Sequence, residues 1–429
     1  MRIGVDGFNL ALARGTGVAT YARTLSHALR GMGHQIDVVF GMNIFAHTSE
    51  ALREIIFFDS FGQDQGASQP KFLTKRWLNE QRARFAGHNA VEITMSGRVE
   101  PRGFAHRLPS YDRILNVPAL FRNAARHYRT TKKFLPIRIE NPPDVMHWTY
   151  PLPIRLEGAK NIYTIHDLVP LRLPYTTLDD KGFHFRLIND ICRLANAVCT
   201  VSEASARDIL SFCPGTKIIN TYQSFKPNAL ALARTDADIA AELQGLFGLA
   251  TDSYFLFFGS LEPKKNIGRM IEAFLATKTT RKLVIVGAMA WKADAELRFL
   301  QRNLDSGRIV HLEYLPEVML MSLIRGARAV MFVSLTEGFG LPLLEAMSFG
   351  TPVLTSREGS LPEVAGEAAI FADAYDTASI SFGMAQLDTD DALCASLRIA
   401  GPAQVALFSM QAYQARLAAM YTGVLGTQT

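Results

Sequence analysis

The chain reads as an α/β protein: two Rossmann-like domains in tandem, with parallel sheets facing each other across a cleft. Three observations predict this. The length of 429 residues exceeds one ordinary core and suits two large domains. Short β-branched or apolar runs alternate with helical patterns, as in βαβ units. The strand series also begins twice, at Arg2 and again near Tyr254.

The first series places strands at 2–5, 36–40, 145–148, 162–165, 198–201 and 217–220. The second places them at 254–258, 283–286, 309–312, 329–333, 352–354 and 369–371. Helical patterns at 19–31, 205–212, 266–276 and 293–305 lie between strands. A helical stretch at 236–250 ends at Gly248 and meets the polar Thr251-Asp252-Ser253. This sets a first domain at 1–250, a second at 251–405 and a closing helix in 406–429. Residues 45–140 mix helical patterns with Pro and Gly and read as a variable insertion serving an acceptor. The stretch 402–425 reads as one or two helices.

An apolar share of 48% with 20% charged residues is that of a globular chain and excludes disorder. Cys192, Cys199, Cys213 and Cys394 form no C-x-x-C pair. That excludes a disulfide framework or zinc ribbon and fits a reducing cytoplasm. The first residues meet Asp6 before any long apolar run, unlike a signal peptide. No stretch is expected to approach the roughly 20 apolar residues of a membrane span. The net charge of +5 points to an anionic partner. Residues 122–133 carry five cations and no acid. Residues 71–85 interleave Lys71, Lys75, Arg76, Arg82 and Arg84 with Phe72, Leu73, Trp77, Leu78 and Phe85. That pattern suits either a basic amphipathic helix on an anionic membrane or a surface helix with its apolar side on the core.

The chemistry concentrates in the second half. The apolar run from Ala329 ends in Glu337-Gly338-Phe339-Gly340-Leu341-Pro342 and continues to Glu345. Gly338 and Gly340 let the backbone turn sharply against a ligand. Pro342 suits a helix's first turn, whose free amides attract a phosphate. Glu337 at a strand's carboxyl end and Glu345 in the helix bracket that phosphate. Upstream, the strand at 254–258 leads through Gly259 and Ser260 to Lys264 and Lys265, which can neutralise a departing diphosphate. Gly287 ends the next strand as a turn glycine or a base-side contact. Glu363 is either a ligand-edge acid or a helix-start acid.

In the first half, Gly15 and Gly17 form a Gly-rich turn before a helix. Thr20 replaces the third glycine of a dinucleotide fingerprint, and Asp37 begins the second strand rather than ending it. A nicotinamide cofactor is therefore not expected. A strand delivers His166 and Asp167 to its carboxyl end, where the pair can act as a base or bind a sugar hydroxyl. Ser202 reads as a helix cap. There is no H-E-x-x-H, P-loop or G-x-S-x-G motif, and no D-x-D in a suitable loop. Neither an essential metal nor a cofactor is expected.

The Glu337-x7-Glu345 segment, Gly350-Thr351-Pro352-Val353 and Ser360-Leu361-Pro362-Glu363-Val364 resemble the retaining glycosyltransferases of GT-B fold, family 4 or glycosyl transferases group 1. Glu262-Pro263-Lys264-Lys265-Asn266 and the His166-Asp167 pair resemble its bacterial mannosyl- and rhamnosyltransferases of polysaccharide biosynthesis, where Lys264 replaces an Arg. Ser260 stands where the family commonly has Arg, and Lys265 stands at the family's Lys. The resemblance runs over 253–375, less closely over 1–40 and 144–230, and is absent over 45–140.

It implies that Glu337 contacts the donor sugar, Glu345 the ribose, and His166 the sugar near its reacting carbon. Gly15 and Gly17 would lie across the cleft from the diphosphate. It further implies a nucleotide-sugar donor, GDP-mannose ahead of UDP or dTDP sugars, and a lipid-linked oligosaccharide or glycan acceptor. A front-side path, a cytoplasmic or peripheral membrane location, and a last helix crossing back onto the first domain complete the expectation. A nucleotide-sugar 2-epimerase shares the fold, but the Glu337–Glu345 segment argues against it. A non-catalytic nucleic-acid-binding protein would explain the basic stretches and leave the donor constellation unexplained.

Overall fold

The computed structural model describes residues 1–11, 17–61, 88–104, 107–288 and 307–426. Gly15, the basic stretch 71–85 and the helical pattern 293–305 lie outside the described residues.

The first sheet has eight strands. In spatial order they are Ile218–Asn220, Ala197–Thr200, Lys160–Thr164, Val145–Trp148, Arg2–Asp6, Gln35–Phe40, Arg113–Asn116 and Val91–Glu92. All pairings are parallel except that of Val91–Glu92 with Arg113–Asn116. The second sheet has six parallel strands, ordered Ile309–Leu312, Lys282–Val286, Tyr254–Phe258, Ala329–Phe332, Val353–Ser356 and Ile370–Ala372. A small third sheet joins His88–Asn89, Leu135–Arg138 and Ile154–Leu156.

Helices on both faces explain why the central strands of the second sheet, Tyr254–Phe258 and Ala329–Phe332, are apolar throughout. Every residue of Tyr254–Phe258 is buried, and each such side chain contributes roughly 1.5–3 kcal/mol of burial. The strand order determines where ligands can bind. Arg2–Asp6 lies between Gln35–Phe40 and Val145–Trp148, and Tyr254–Phe258 lies between Lys282–Val286 and Ala329–Phe332. At each place successive connections leave in opposite directions, which opens a crevice at the strands' carboxyl ends. The two crevices hold the segments singled out above.

Three features differ from the sequence reading. Arg113–Asn116, inside the stretch 45–140, is a full strand of the first sheet, in register with Asp37–Phe40. Its polar ends hid it: the Arg113 guanidinium donates to Asp37 at 2.9 and 2.6 Å, and Asn116 Oδ1 accepts from Met42 N at 2.8 Å. Second, the helix Asp236–Glu242 precedes residue 250 yet packs on the second domain. Ser322 Oγ donates to Glu242 at 2.7 Å, and Arg325 pairs with Asp236 at 2.7 Å.

Third, Asp391–Leu425 contains a segment with mean hydropathy 1.3, apolar and long enough by composition to cross a membrane. The backbone instead forms two helices, Asp391–Ala406, which takes in Pro402, and Met410–Leu425. The second lies against the first domain. Gln414 Nε2 donates to Ala28 O at 3.0 Å, and the Tyr421 hydroxyl meets His147 Nδ1 at 2.6 Å.

Candidate functional site

The strand Ala329–Phe332 is fully buried and delivers the loop 333–340 to the crevice. Gly340, with φ +104°, caps the helix Leu341–Ser348, and Pro342 stands in its first turn. The loop is tightly held. Leu335 N donates to Lys264 O at 2.7 Å. Ser360 Oγ lies 3.0 Å from Glu337 O and 2.8 Å from Phe339 O. At Gly359, with φ +59°, an added Cβ would stand 2.7 Å from Glu337 O. Asn266, in the left-handed region at φ +62°, donates to Val333 O at 3.1 Å and Ala374 O at 2.7 Å. It thereby ties the lysine turn to this loop.

Glu337 is only 8% exposed. Lys265 Nζ lies 2.6 Å from one carboxylate oxygen and Lys264 Nζ 3.7 Å from the other. Lys265 also sits over the Phe332 ring at 4.7 Å, and Lys264 is 3.7 Å from Glu262. Burial pushes the Glu337 carboxyl up, but the two lysines outweigh it and hold the pKa below its ordinary value. Burial pulls Lys264 down, yet Glu337, Asp167 and Glu262 together raise it. The cluster is thus a pair of fixed ammonium groups and an ionised carboxylate in a poorly hydrated place.

His166 follows the strand Lys160–Thr164. Its Nε2 is 2.9 Å from Thr149 O. A carbonyl only accepts, so Nε2 carries the proton and Nδ1 is left as an acceptor. Burial holds its pKa below the ordinary value, against the pull of the Thr149 carbonyl and Asp167. The ring stands edge-on to Tyr21 at 4.8 Å. Behind it, Asp6 Oδ2 accepts from Thr149 N at 2.5 Å, and burial pushes this carboxyl up to about 6. Asp167 Oδ1 accepts from Val169 N at 3.1 Å, which anchors the helix Val169–Arg172.

The two halves meet at Gly338. An added Cβ there would lie 2.8 Å from His166 O and 3.1 Å from Asp167 Oδ2. Ser205 Oγ donates to His166 O at 2.7 Å, with Gly338 O further off at 3.4 Å. Glu337, Lys264, Lys265, His166 and Asp167 therefore share one place between the domains.

Other expected residues separate. Glu345 faces a cavity of about 390 Å³ lined by Thr20, Arg23, Ser224, Glu317 and Leu341. Burial, then Glu317, pushes its carboxyl up to about 7. Gly259 adopts φ +134°, and a Cβ on Gly287 would collide with Gly259 O at 1.9 Å. Gly287 is thus required by packing. Ser260 is exposed and its hydroxyl reaches Glu262 at 3.3 Å. An added Cβ at Gly17 meets open space.

Two further residues are held by packing between elements. Phe339, within the segment expected to bind the donor, has its side chain buried against Phe408 at 5.4 Å and Tyr222 at 6.4 Å, which leaves its backbone to border the crevice. Glu363 stands in the first turn of its own helix, Leu361–Ala365, and its carboxylate reaches across to the first domain. It accepts from Glu203 N at 3.0 Å and Ala204 N at 3.1 Å, at the amino end of the helix Glu203–Phe212 in the other domain. The favourable dipole there makes it an interdomain clasp. Ser202 caps that same helix through Ser205 N at 3.0 Å. Among the described residues no cluster of His, Cys, Asp and Glu could hold a metal ion.

The sequence reading missed Asp6, Thr149, Asn266, Ser205 and Ser360. A carboxylate ending a β-strand at a switch point was a visible signal for Asp6. The others act through backbone partners distant in sequence, which no local pattern encodes.

The profile described as Glycosyl transferases group 1 matches residues 247–404, and that described as Glycosyltransferase Family 4 matches 15–219. The second runs through 45–140, where no resemblance was visible. The chain is 33% identical over 267 residues to O-antigen chain mannosyltransferase B of Escherichia coli, covering 61% of this chain and 69% of that one. It is 28% identical over 273 residues to the serotype-specific mannosyltransferase WbdA of the same organism. That match covers 61% of this chain but only 33% of WbdA, so the chain spans about a third of that relative. Among solved structures, sucrose-phosphate synthase from Thermosynechococcus elongatus superposes with TM-score 0.66 at 15% identity, over 99% of both chains. HepE from Anabaena, in complex with UDP and glucose, does so with TM-score 0.63 at 15% identity, over 99% of this chain and 100% of that one. These likenesses establish the GT-B architecture.

Proposed function

Because the chain belongs to glycosyltransferase family 4 and is a glycosyltransferase, we propose that it transfers mannose from GDP-mannose, with retention of configuration, to a lipid-linked or surface polysaccharide acceptor. The observation that carries this reading is the buried cluster of Lys264, Lys265 and Glu337 against His166 and Asp167. Breaking the bond from the anomeric carbon to the phosphate oxygen leaves negative charge on the diphosphate. The two ammonium groups and the amides opening the helix Leu341–Ser348 are placed to receive it. Their fixed positions avoid reorganisation as charge develops.

In this mechanism Glu337 accepts from donor-sugar hydroxyls, His166 Nδ1 accepts from another, and Glu345 binds the ribose. The acceptor oxygen bonds to the anomeric carbon on the face the diphosphate leaves, and its proton passes to a departing phosphate oxygen. No metal takes part. The mannose assignment is supported by the mannosyltransferase relatives, which also disfavour the epimerase alternative. We place the enzyme in the cytoplasm, touching an anionic membrane through the basic helix Leu120–Thr131 and the lysines after it.

The test is a panel of nucleotide sugars scored by the shift in melting temperature, followed by the anomeric configuration of the product by NMR. GDP-mannose should give the largest shift and an α-linked product. A larger shift with a UDP sugar would overturn the donor assignment, and a β-linked product the retaining one.

A further inference from the structure

A second opening lies between the domains, away from Glu345. It has a volume of about 560 Å³ and its floor includes Leu335 and Thr336, which lead directly to Glu337. The first domain contributes the helices Val169–Arg172 and Glu203–Phe212, and the second contributes residues 357–359 and Tyr375. The first of these helices begins two residues after Asp167. One cavity thus holds Glu345, and the other is lined by the two residues immediately before Glu337.

The lining has a distinctive chemistry. Arg172, Arg207 and Arg357 stand against Asp208 and Glu358. Arg172 is 3.5 Å from Asp208, and Arg357 lies over the Phe371 ring at 4.9 Å. Tyr375 of the second domain lines the opening, is 49% exposed and carries the Arg269 guanidinium over its ring at 5.6 Å, and Tyr175 of the first domain, two residues beyond the lining residue Leu173, is 61% exposed. An exposed tyrosine offers a ligand an apolar ring and a polar tip. A site for a bare phosphate or a lipid diphosphate would be cationic throughout, and here two carboxylates oppose it. Guanidinium and carboxylate groups side by side instead match the paired donors and acceptors of vicinal hydroxyls. Flat rings match the C–H faces of pyranoses.

We propose that this opening is the acceptor subsite and that it holds the terminal residues of a neutral sugar chain, with Tyr175 and Tyr375 as stacking platforms and Arg207 as a hydroxyl ligand. The assignment of this opening to the acceptor rests on the transferase reading above, since it is the path to Glu337 that the nucleoside does not occupy. The ligand chemistry rests on the lining alone.

The experiment uses the full chain and three variants, Arg207→Ala, Tyr375→Ala and Tyr375→Phe, with melting temperature confirming that each folds. Binding of an α-linked mannotriose is followed by saturation-transfer NMR and calorimetry, alongside inorganic phosphate and GDP. The two alanine variants should weaken mannotriose binding at least tenfold. Tyr375→Phe should keep most of it, and GDP affinity should not change. In transfer assays the alanine variants should raise the acceptor KM while hydrolysis of the donor by water continues at the wild-type rate. Unchanged mannotriose affinity in both alanine variants, no mannotriose binding by the wild type, or competition by inorganic phosphate would each overturn the proposal. If no nucleotide or nucleotide sugar binds while the variants still lose mannotriose, the transferase reading fails and the saccharide subsite stands. If donors bind normally while mannotriose is unaffected, the reverse holds.

Discussion

Replacing Glu337 with Gln removes one charge from the buried cluster and nearly no volume. In the free protein that carboxylate is the partner of Lys265 at 2.6 Å and of Lys264 at 3.7 Å. Removing one member of a buried ion pair costs roughly 3–5 kcal/mol, because the other is left uncompensated. Lys264 keeps Glu262 at 3.7 Å, so a loss near 3 kcal/mol is expected. The diphosphate of GDP supplies the missing negative charge. Glu337 and the diphosphate therefore compete for the same two ammonium groups. The Glu337→Gln variant should melt lower than the wild type yet bind GDP about tenfold more tightly, a gain of about 1.4 kcal/mol. GDP at a hundred times its Kd adds about 2.7 kcal/mol of stability and should restore most of the melting temperature. Transfer should nonetheless fall by roughly 10²–10³-fold, as the contact to the donor sugar is lost. Calorimetry with GDP, melting with and without GDP, and single-turnover transfer measure the three quantities. Weaker GDP binding by the variant would refute the competition, because it would mean that Glu337 helps to hold the nucleotide.

Three further outcomes follow from the same geometry. Glu345, held up to about 7 by burial and Glu317, ionises as pH rises through neutrality, and its carboxylate is the better acceptor for ribose hydroxyls. Donor KM should therefore fall between pH 6 and 8, and a Glu345→Gln variant with the same pH dependence would show that another group is responsible. The raised pKa contributes stability that is complete below the unfolded carboxyl value and lost as pH rises through about 7, by at most about 1.4 kcal/mol per pH unit. Gly338→Ala forces a methyl to 2.8 Å from His166 O. An overpacking cost of about 1–3 kcal/mol is most easily relieved by parting the domains, so transfer should drop at least tenfold while GDP binding holds; unaffected transfer would mean the contact is slack. His147 is buried, and burial with His166 nearby pushes its pKa down to about 3. Its folded pKa lies below the unfolded one, so its contribution is present at neutral pH and lost as pH falls below about 6.5. Asp6, raised to about 6, acts in the opposite sense, so the comparison is with His147→Gln. Urea midpoints of the wild type should fall more steeply than those of the variant between pH 6.5 and 4.

What was legible in the sequence follows from how the site is built. The segment from Ala329 to Glu345 is continuous in the chain, so its strand, glycine turn and helix start could be read in order, and the structure places them so. The turn Pro263–Lys265 was legible for the same reason. Arg113–Asn116 was not, because its stabilisation is non-local: Arg113 answers Asp37 and Asn116 answers Met42 across more than 70 residues. Glu363 shows a subtler limit. Its position at a helix start was visible, but the backbone amides it accepts from belong to residues 203 and 204 in another domain. A helix-start acid and an interdomain clasp look the same in one dimension.

The placement of His166 carries that argument to the chemistry. The strand end explains why a histidine reaches the crevice, and nothing local explains which nitrogen faces the ligand. That is settled by Thr149 O, which accepts the hydrogen bond of Nε2–H, and Thr149 is held in turn by Asp6 at the end of the first strand. Beneath the ring, the Tyr21 hydroxyl meets Thr164 Oγ1 at 3.1 Å, Thr164 meets His147 Nε2 at 2.8 Å, and His147 meets Tyr421 of the last helix. Each group in this chain is buried, so each must keep its partner or bear the cost of an unsatisfied polar atom. The helix that closes the chain thus helps to fix the floor on which His166 stands. The tautomer of the histidine is a property of four segments at once, set by the fold as a whole.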